Sequence, residues 1–187
     1  MIKEDDPALC LPPDSQVGDD FLPFYFIGDD AFPLIRRVIK PFSPTRKKPL
    51  SNEEIITNYR ISRARRVVEN AFGILSSKWA CVGKTFHSKP ENVQKIVTAC
   101  CLLHNFLINS QPETYIPDKY KDLLDIDGTY IQGIWRSSNQ NRSLEPIRVQ
   151  LHGRVSNDGK RNRNILKRFV NSSYGSLPFQ LHAAHLE

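Results

Sequence analysis

Residues 62–79, SRARRVVENAFGILSSKW, constrain this chain more than any other stretch, because their apolar spacing is that of one amphipathic helix. Ala64, Val68, Ala71, Phe72 and Leu75 predict a single apolar stripe. At about 100° per residue, Glu69 falls off that stripe, on the face of Ser62, Arg65, Gly73 and Ser76. It is the only acid in the stretch, and Arg63, Arg65 and Arg66 lie just before it. Such a carboxylate has two readings. One is an exposed Arg65–Glu69 pair one helical turn apart, contributing about 0.2–0.5 kcal/mol. The other is a polar site on the outer face of the helix.

Upstream, residues 24–27 form a short run of aromatic and β-branched residues and predict a strand over 24–28, buried on both faces. Gly28 ends it, and Asp29 and Asp30 follow. In open α/β sheets, chemistry gathers at the carboxyl ends of strands, so this junction is a candidate site. Its plainer reading is an N-cap for a helix over 31–39, with Pro33 tolerated in the first turn. Ser51 and Glu54 make a capping box that opens a short helix over 52–58. Ser88 and Glu91 make a second, opening a helix over 89–109. Val93, Ile96, Val97, Cys100, Leu103 and Leu107 give that helix an apolar stripe and make it the expected core partner of 62–79. His104, near its end, reads as a satisfied boundary histidine rather than a metal ligand. A basic helix is expected near 160–171, and LPFQ at 177–180 as an extended anchor.

Charge is unevenly spread. Residues 1–30 carry a net −7, residues 31–89 a net +10 and residues 90–187 a net +3. So basic a middle suits a polyanion, nucleic acid first, although a basic face can also serve solubility alone. No run of about 18 apolar residues occurs, which excludes a helical membrane span. The first ten residues lack the basic flank and apolar stretch of a secretory signal. Cys10, Cys81, Cys100 and Cys101 lack metal-ligand spacing and read as free thiols of a reducing compartment. No phosphate loop or dinucleotide-binding glycine turn is present, so no small-molecule cofactor is expected.

Three motifs, GDDAFPL (28–34), NYRISRARRVVENAFGILSSKW (58–79) and KPENVQKIVTACCLLHNFL (89–107), resemble the C-terminal half of DDE-type transposases, nearest the PIF/Harbinger group and its transposase-derived nucleases. The resemblance weakens over GIWR (133–136) and the terminal ILKRF…LPFQ segments. It implies an α/β chain, the C-terminal portion of a ribonuclease H-like fold. As truncated, this would be mostly helical, with one clear buried strand and a long irregular C-terminal segment. The organisation expected is an irregular acidic lead-in at 1–20, a partial endonuclease domain at 21–110, and a wrapping segment with a basic terminal helix at 111–187. In such nucleases two Asp and one Glu bind two divalent metals, Mg²⁺ or Mn²⁺, and cut DNA phosphodiester bonds.

On this resemblance the second Asp falls on Asp29 and the Glu on Glu69, 40 residues apart. Both are expected to act as catalytic metal ligands meeting at the carboxyl end of the strand, with Asp30 capping the next helix. Arg36, Arg37, Lys47, Lys48, Arg63, Arg65 and Arg66 would hold DNA phosphates. The family's first Asp stands on an earlier strand. Asp14, Asp19 and Asp20 match no strand motif, so the resemblance implies a fragment, from a truncated gene product or a partial gene model. Two functional classes follow: a metal-dependent endonuclease domain inactive in this form, or a non-catalytic DNA- or protein-binding module. The expected setting is the nucleus, with the cytoplasm as an alternative, and a Myb/SANT-like DNA-binding protein is an implied partner.

Overall fold

The computed structural model describes residues 9–46, 48–125, 128–138 and 155–186. The fold is mixed α/β, with helices over about half of the described residues and strands of two or three residues each. The chain divides into two units, residues 1–65 with 148–187, and residues 66–147. The longest helix, α1 (Asn52–Lys78), contributes its first half to one unit and its second half to the other.

In the first unit, β1 (Ser15–Val17) and β2 (Asp20–Leu22) form an antiparallel hairpin around Gly18. Gly18 has φ 63°, a left-handed conformation that glycine adopts without strain. This corrects the irregular lead-in expected over 1–20, within which residues 15–17 and Asp20 lie in strands. Asp20 at the start of β2 is ion-paired to Arg168 at 2.5 Å. The polar residues of SQV mask the alternation that would mark such an edge strand.

β3 (Phe26–Ile27) pairs in parallel with β4 (Val38–Ile39). The Phe26 N–H donates to the Arg37 carbonyl at 2.7 Å, and the Gly28 N–H to the Ile39 carbonyl at 2.9 Å. The helix expected over 31–39 is absent. Pro33 lacks a donor and disfavours helical geometry at Phe32, while Val38 and Ile39 are fully buried only as a strand beside β3. The strand at 26–27 is itself not buried on both faces, since Phe24 and Phe26 are exposed. Nor is it a lone strand, for the described residues hold six, in three pairs.

The core of this unit is Ile39, Ile61, Leu166 and Val170, flanked by Tyr25, Ile27 and Phe169. α5 (Asn157–Val170) supplies Leu166 and Val170. Its N-cap Ser156 accepts from the Gly159 N–H at 2.9 Å, and the Ser156 N–H donates to the Leu34 carbonyl at 2.8 Å. The Asn162 amide donates to the Arg36 carbonyl at 2.8 Å. The helix thus lies across the segment that leads into β4. LPFQ ends in a turn and a short helix, α6 (Gln180–Ala183), not in an extended anchor.

Ser51 and Glu54 cap α1 reciprocally: the Glu54 N–H donates to the Ser51 hydroxyl at 3.3 Å, and the Ser51 N–H donates to the Glu54 carboxylate at 3.0 Å. The two helices expected over 52–58 and 62–79 are one, because Tyr59, Arg60 and Ile61 include no breaker and Ile61 is buried.

In the second unit, α2 (Pro90–Ser110) is followed by α3 (Pro112–Tyr115), β5 (Leu123–Leu124), β6 (Tyr130–Ile131) and α4 (Trp135–Ser138). Pro90 opens α2 as expected, but Lys89 is its N-cap and no side chain caps it, so Ser88 and Glu91 form no capping box. The core is Ile74, Ile116 and Trp135, with Ile108, Tyr115 and Tyr120 packed against it. The expected stripes are largely uncovered. Leu75 is buried, whereas Ala64, Val68, Ala71 and Phe72 are exposed. On α2 only Cys100 and His104 are buried, while Ile96 and Leu103 are exposed. The only sheet in this unit among the described residues, β5–β6, is two residues wide on each strand, too small to cover two long helices.

Candidate functional site

Asp29 stands two residues past β3, and the local chain fixes it there. A Cβ at position 28 would lie 2.8 Å from the Phe32 Cβ, so glycine lets the turn close. One Asp29 carboxylate oxygen accepts the Ala31 N–H at 2.9 Å, and the Asp29 carbonyl accepts the Phe32 N–H at 3.2 Å. This is an Asx turn, in which a side chain imitates a backbone carbonyl. The second carboxylate oxygen faces Arg65 on α1 at 3.8 Å, and the side chain is 47% exposed. Asp30 does not cap a helix. Its carboxylate meets Lys40 at 3.3 Å and accepts from the Ser43 hydroxyl at 3.2 Å.

Glu69 is exposed on the second half of α1. It belongs to the second unit and Asp29 to the first. Among the described residues, no group of three or more His, Cys, Asp or Glu side chains could hold a metal ion. The donor set at hand is therefore two carboxylates, hard oxygen ligands of the type Mg²⁺ and Mn²⁺ take. These two acids, one in each unit, are fewer than the three the resemblance implies and do not by themselves fit a two-ion centre.

The basic residues are mostly engaged inside their own units. Arg36 is paired with Asp14 at 3.1 Å, and Lys48 with Glu54 at 3.5 Å. Arg37 donates to the Phe24 carbonyl at 3.1 Å. The Arg63 guanidinium lies over the Phe179 ring at 4.7 Å, and that of Arg66 over Tyr130 at 4.2 Å. Lys47 lies outside the described residues.

Two polar constellations escape the sequence patterns. Asp122, 3% exposed, accepts from both Nε and Nη2 of Arg136, at 3.2 and 2.7 Å, and from the Gly133 N–H at 2.8 Å. Tyr130 donates its hydroxyl to the same carboxylate. Burial pushes the Asp122 carboxyl up, but Arg136, Tyr130 and Gly133 together hold it below its ordinary value. The second constellation centres on Tyr115. Trp79 donates its indole N–H to the Tyr115 hydroxyl at 3.0 Å, and that hydroxyl lies 2.9 Å from Nδ1 of His104. Trp79 can only donate, so Tyr115 accepts from it, and the direction of its bond to His104 follows the imidazole tautomer. Burial, reinforced by nearby Lys78, lowers the His104 pKa and keeps the ring neutral. The only advance signals were GIWR for the first group and an isolated helix-end histidine for the second; their partners are remote in sequence.

A mixed α/β framework with an acid fixed at the end of a parallel strand is the class these features define. Residues 14–105 match the profile of the family described as DDE superfamily endonuclease. Protein ALP1-like of Arabidopsis thaliana is 30% identical over 91 residues, covering 48% of this chain and 22% of that protein. The chain thus spans about a fifth of the length of that relative. No solved structure matches. Residues 14–105, just under half of the chain, are thus similar to the DDE superfamily endonucleases. No helix among the described residues is long and apolar enough to cross a membrane.

Proposed function

We propose that this chain is part of a ribonuclease H-like DDE endonuclease domain that acts on DNA, and that Asp29 and Glu69 are its metal-binding carboxylates. The observation that carries this reading is the family match over 14–105, which includes both residues. Asp29 is held by its own turn and keeps one oxygen outside that bond; Glu69 is exposed on a long helix that fixes its backbone. A divalent cation, when bound, would supply Lewis-acid activation of a water towards a phosphodiester. In that role Asp29 and Glu69 would be the carboxylates that hold the cation, and basic side chains of the 36–66 segment would meet the phosphates. The setting is the nucleus, where DNA is, and a Myb/SANT-like DNA-binding protein is the partner that would supply target recognition.

Two carboxylates where the family uses three leave water in the remaining coordination positions, so binding is weak and the 187 residues alone do not cleave. The second reading is a non-catalytic DNA- or protein-binding module, favoured by the engagement of Asp29 with both Ala31 and Arg65. The experiment is Mn²⁺ titration by calorimetry together with plasmid nicking in Mg²⁺ and Mn²⁺, run beside an Asp29→Ala, Glu69→Ala double variant. The metal-site reading expects weak Mn²⁺ binding that the double variant loses, and no nicking by either. Equal Mn²⁺ binding by both proteins would remove the metal site. Nicking by the parent chain that the double variant lacks would instead show that a further acid completes it.

A further inference from the structure

Cys81 and Cys100 lie in the second unit with their sulfurs 3.7 Å apart, 19 residues apart in the chain. Cys81 is exposed, in the turn that follows α1, and Cys100 is buried on α2. The approach is held by the scaffold rather than by two mobile surface thiols. Trp79, two residues before Cys81, and His104, one helical turn after Cys100, both bond to the Tyr115 hydroxyl, at 3.0 and 2.9 Å. One phenol thus pins the two segments that carry the sulfurs. A disulfide has its sulfurs about 2.05 Å apart. From 3.7 Å the sulfurs have about 1.6 Å left to close.

We propose that Cys81 and Cys100 form a thiol-modification site, which a low-molecular-weight disulfide of the glutathione type closes into a reversible intramolecular bond. The exposed Cys81 reacts first. It loses its proton to solvent, and the thiolate attacks one sulfur of glutathione disulfide, breaking that S–S bond and releasing one glutathione thiolate. Cys81 then carries a mixed disulfide. Cys100 loses its proton to solvent, attacks the Cys81 sulfur and expels the second glutathione as a thiolate, and both glutathione thiolates take up a proton from solvent. Two protein thiols are oxidised and one glutathione disulfide is reduced to two thiols, so electrons and atoms balance. Burial raises the Cys100 thiol pKa and disfavours it as the thiol that captures the oxidant, whereas its position 3.7 Å from the Cys81 sulfur places it for the intramolecular step. Cys101, next to it on α2, is only half-buried, and Cys10 belongs to the first unit. The closed bond ties the end of α1 to α2 and so restrains the half of α1 on which Glu69 stands.

The test uses the full chain, reduced and then exposed to excess glutathione disulfide, with remaining thiols alkylated before mass analysis. The expected result is a monomer that has lost two of its four alkylatable thiols and yields a Cys81–Cys100 linked peptide, reversed by dithiothreitol. Cys100→Ser should stop at the glutathione adduct on Cys81, and a Cys10→Ser, Cys101→Ser double variant should close like the parent. Four alkylated thiols after exposure would overturn the proposal. So would linked peptides containing Cys10 or Cys101, or disulfide-bonded dimers in place of the monomer. Because the parent chain alone decides between these outcomes, a variant that fails to fold leaves the test intact.

Discussion

The Trp135 indole sits directly on Gly73, so close that a Cβ at position 73 would stand 2.1 Å from the ring carbon Cζ3. Glycine in mid-helix ordinarily costs about 0.5–1 kcal/mol relative to alanine. On propensity alone, Gly73→Ala should stabilise α1. The contact reverses the sign, because the ring fills the core with Ile74 and Ile116 and cannot tilt without opening a void. The expected outcome is a net loss of about 1–3 kcal/mol, read as a lower urea midpoint. A midpoint equal to or above that of the parent would show that the indole is free to move.

Asp122 and Arg136 form the most enclosed ion pair among the described residues for which partners are recorded, and removing either member has unequal effects. Arg136→Met leaves a buried carboxylate with only Tyr130 and Gly133, and should cost about 3 kcal/mol. Asp122→Asn keeps an acceptor for the Gly133 N–H and removes the charge, so it should cost less. The Asp122 carboxyl is held below its ordinary value of 3.8. Its contribution is therefore complete above about pH 4 and is lost as pH falls through the lowered folded value. Acid unfolding curves should show this dependence weakened in Asp122→Asn.

The elements legible in advance were those whose signals are local. Pro90 at the start of α2 and the apolar spacing of Ile165, Leu166 and Val170 in α5 carry their own instructions. Residues 31–39 do not. Val38 and Ile39 become a strand only because Phe26 and Ile27 lie beside them, a pairing no local period reveals. The stripe of Val68 and Phe72 was legible as helical but not as exposed, because burial depends on what packs opposite, which a single helix does not encode. At the candidate site, Gly28 and Asp29 were legible as a strand-end junction. The bond from Asp29 to its own turn was not assigned to the right residue, since either of two adjacent acids could have made it.

His104 should give the second unit a pH-dependent stability of defined sign. Burial and Lys78 lower its pKa from the ordinary 6.5. The unfolded chain therefore takes up the proton more readily than the folded one. The neutral ring stabilises the fold fully above about pH 6.5, and that contribution fades as pH falls towards the lowered folded value. Urea midpoints measured between about pH 7 and pH 5 should fall less in His104→Gln than in the parent. Parallel pH slopes would remove His104 from the account.

DNA binding by the 36–66 segment is expected to be weak and without sequence preference. Arg36 and Lys48 already meet Asp14 and Glu54, so each must leave an internal partner to reach a phosphate. Affinity for a short duplex, followed by fluorescence anisotropy, should fall steeply between about 50 and 200 mM salt. A flat salt response would indicate contacts that are not phosphate-based, and no binding at low salt would remove DNA as a direct ligand.

Asp29 offers a way to separate its structural task from its proposed chemical one. The Asx turn needs only an acceptor oxygen, and Asn supplies one at the same place. The Arg65 contact is long and half-exposed, of the kind worth about 0–1 kcal/mol. Asp29→Asn should therefore leave stability within about 0.5 kcal/mol of the parent while removing the anionic oxygen a hard cation requires. Asp29→Ala loses the turn bond as well and should cost about 1 kcal/mol more. If Asp29 is a metal ligand, both variants lose Mn²⁺ binding to the same extent although their stabilities differ. If its task is the turn alone, Asn restores everything the parent does, Mn²⁺ affinity included. Calorimetric titration with Mn²⁺ beside urea unfolding of the three proteins distinguishes the two cases.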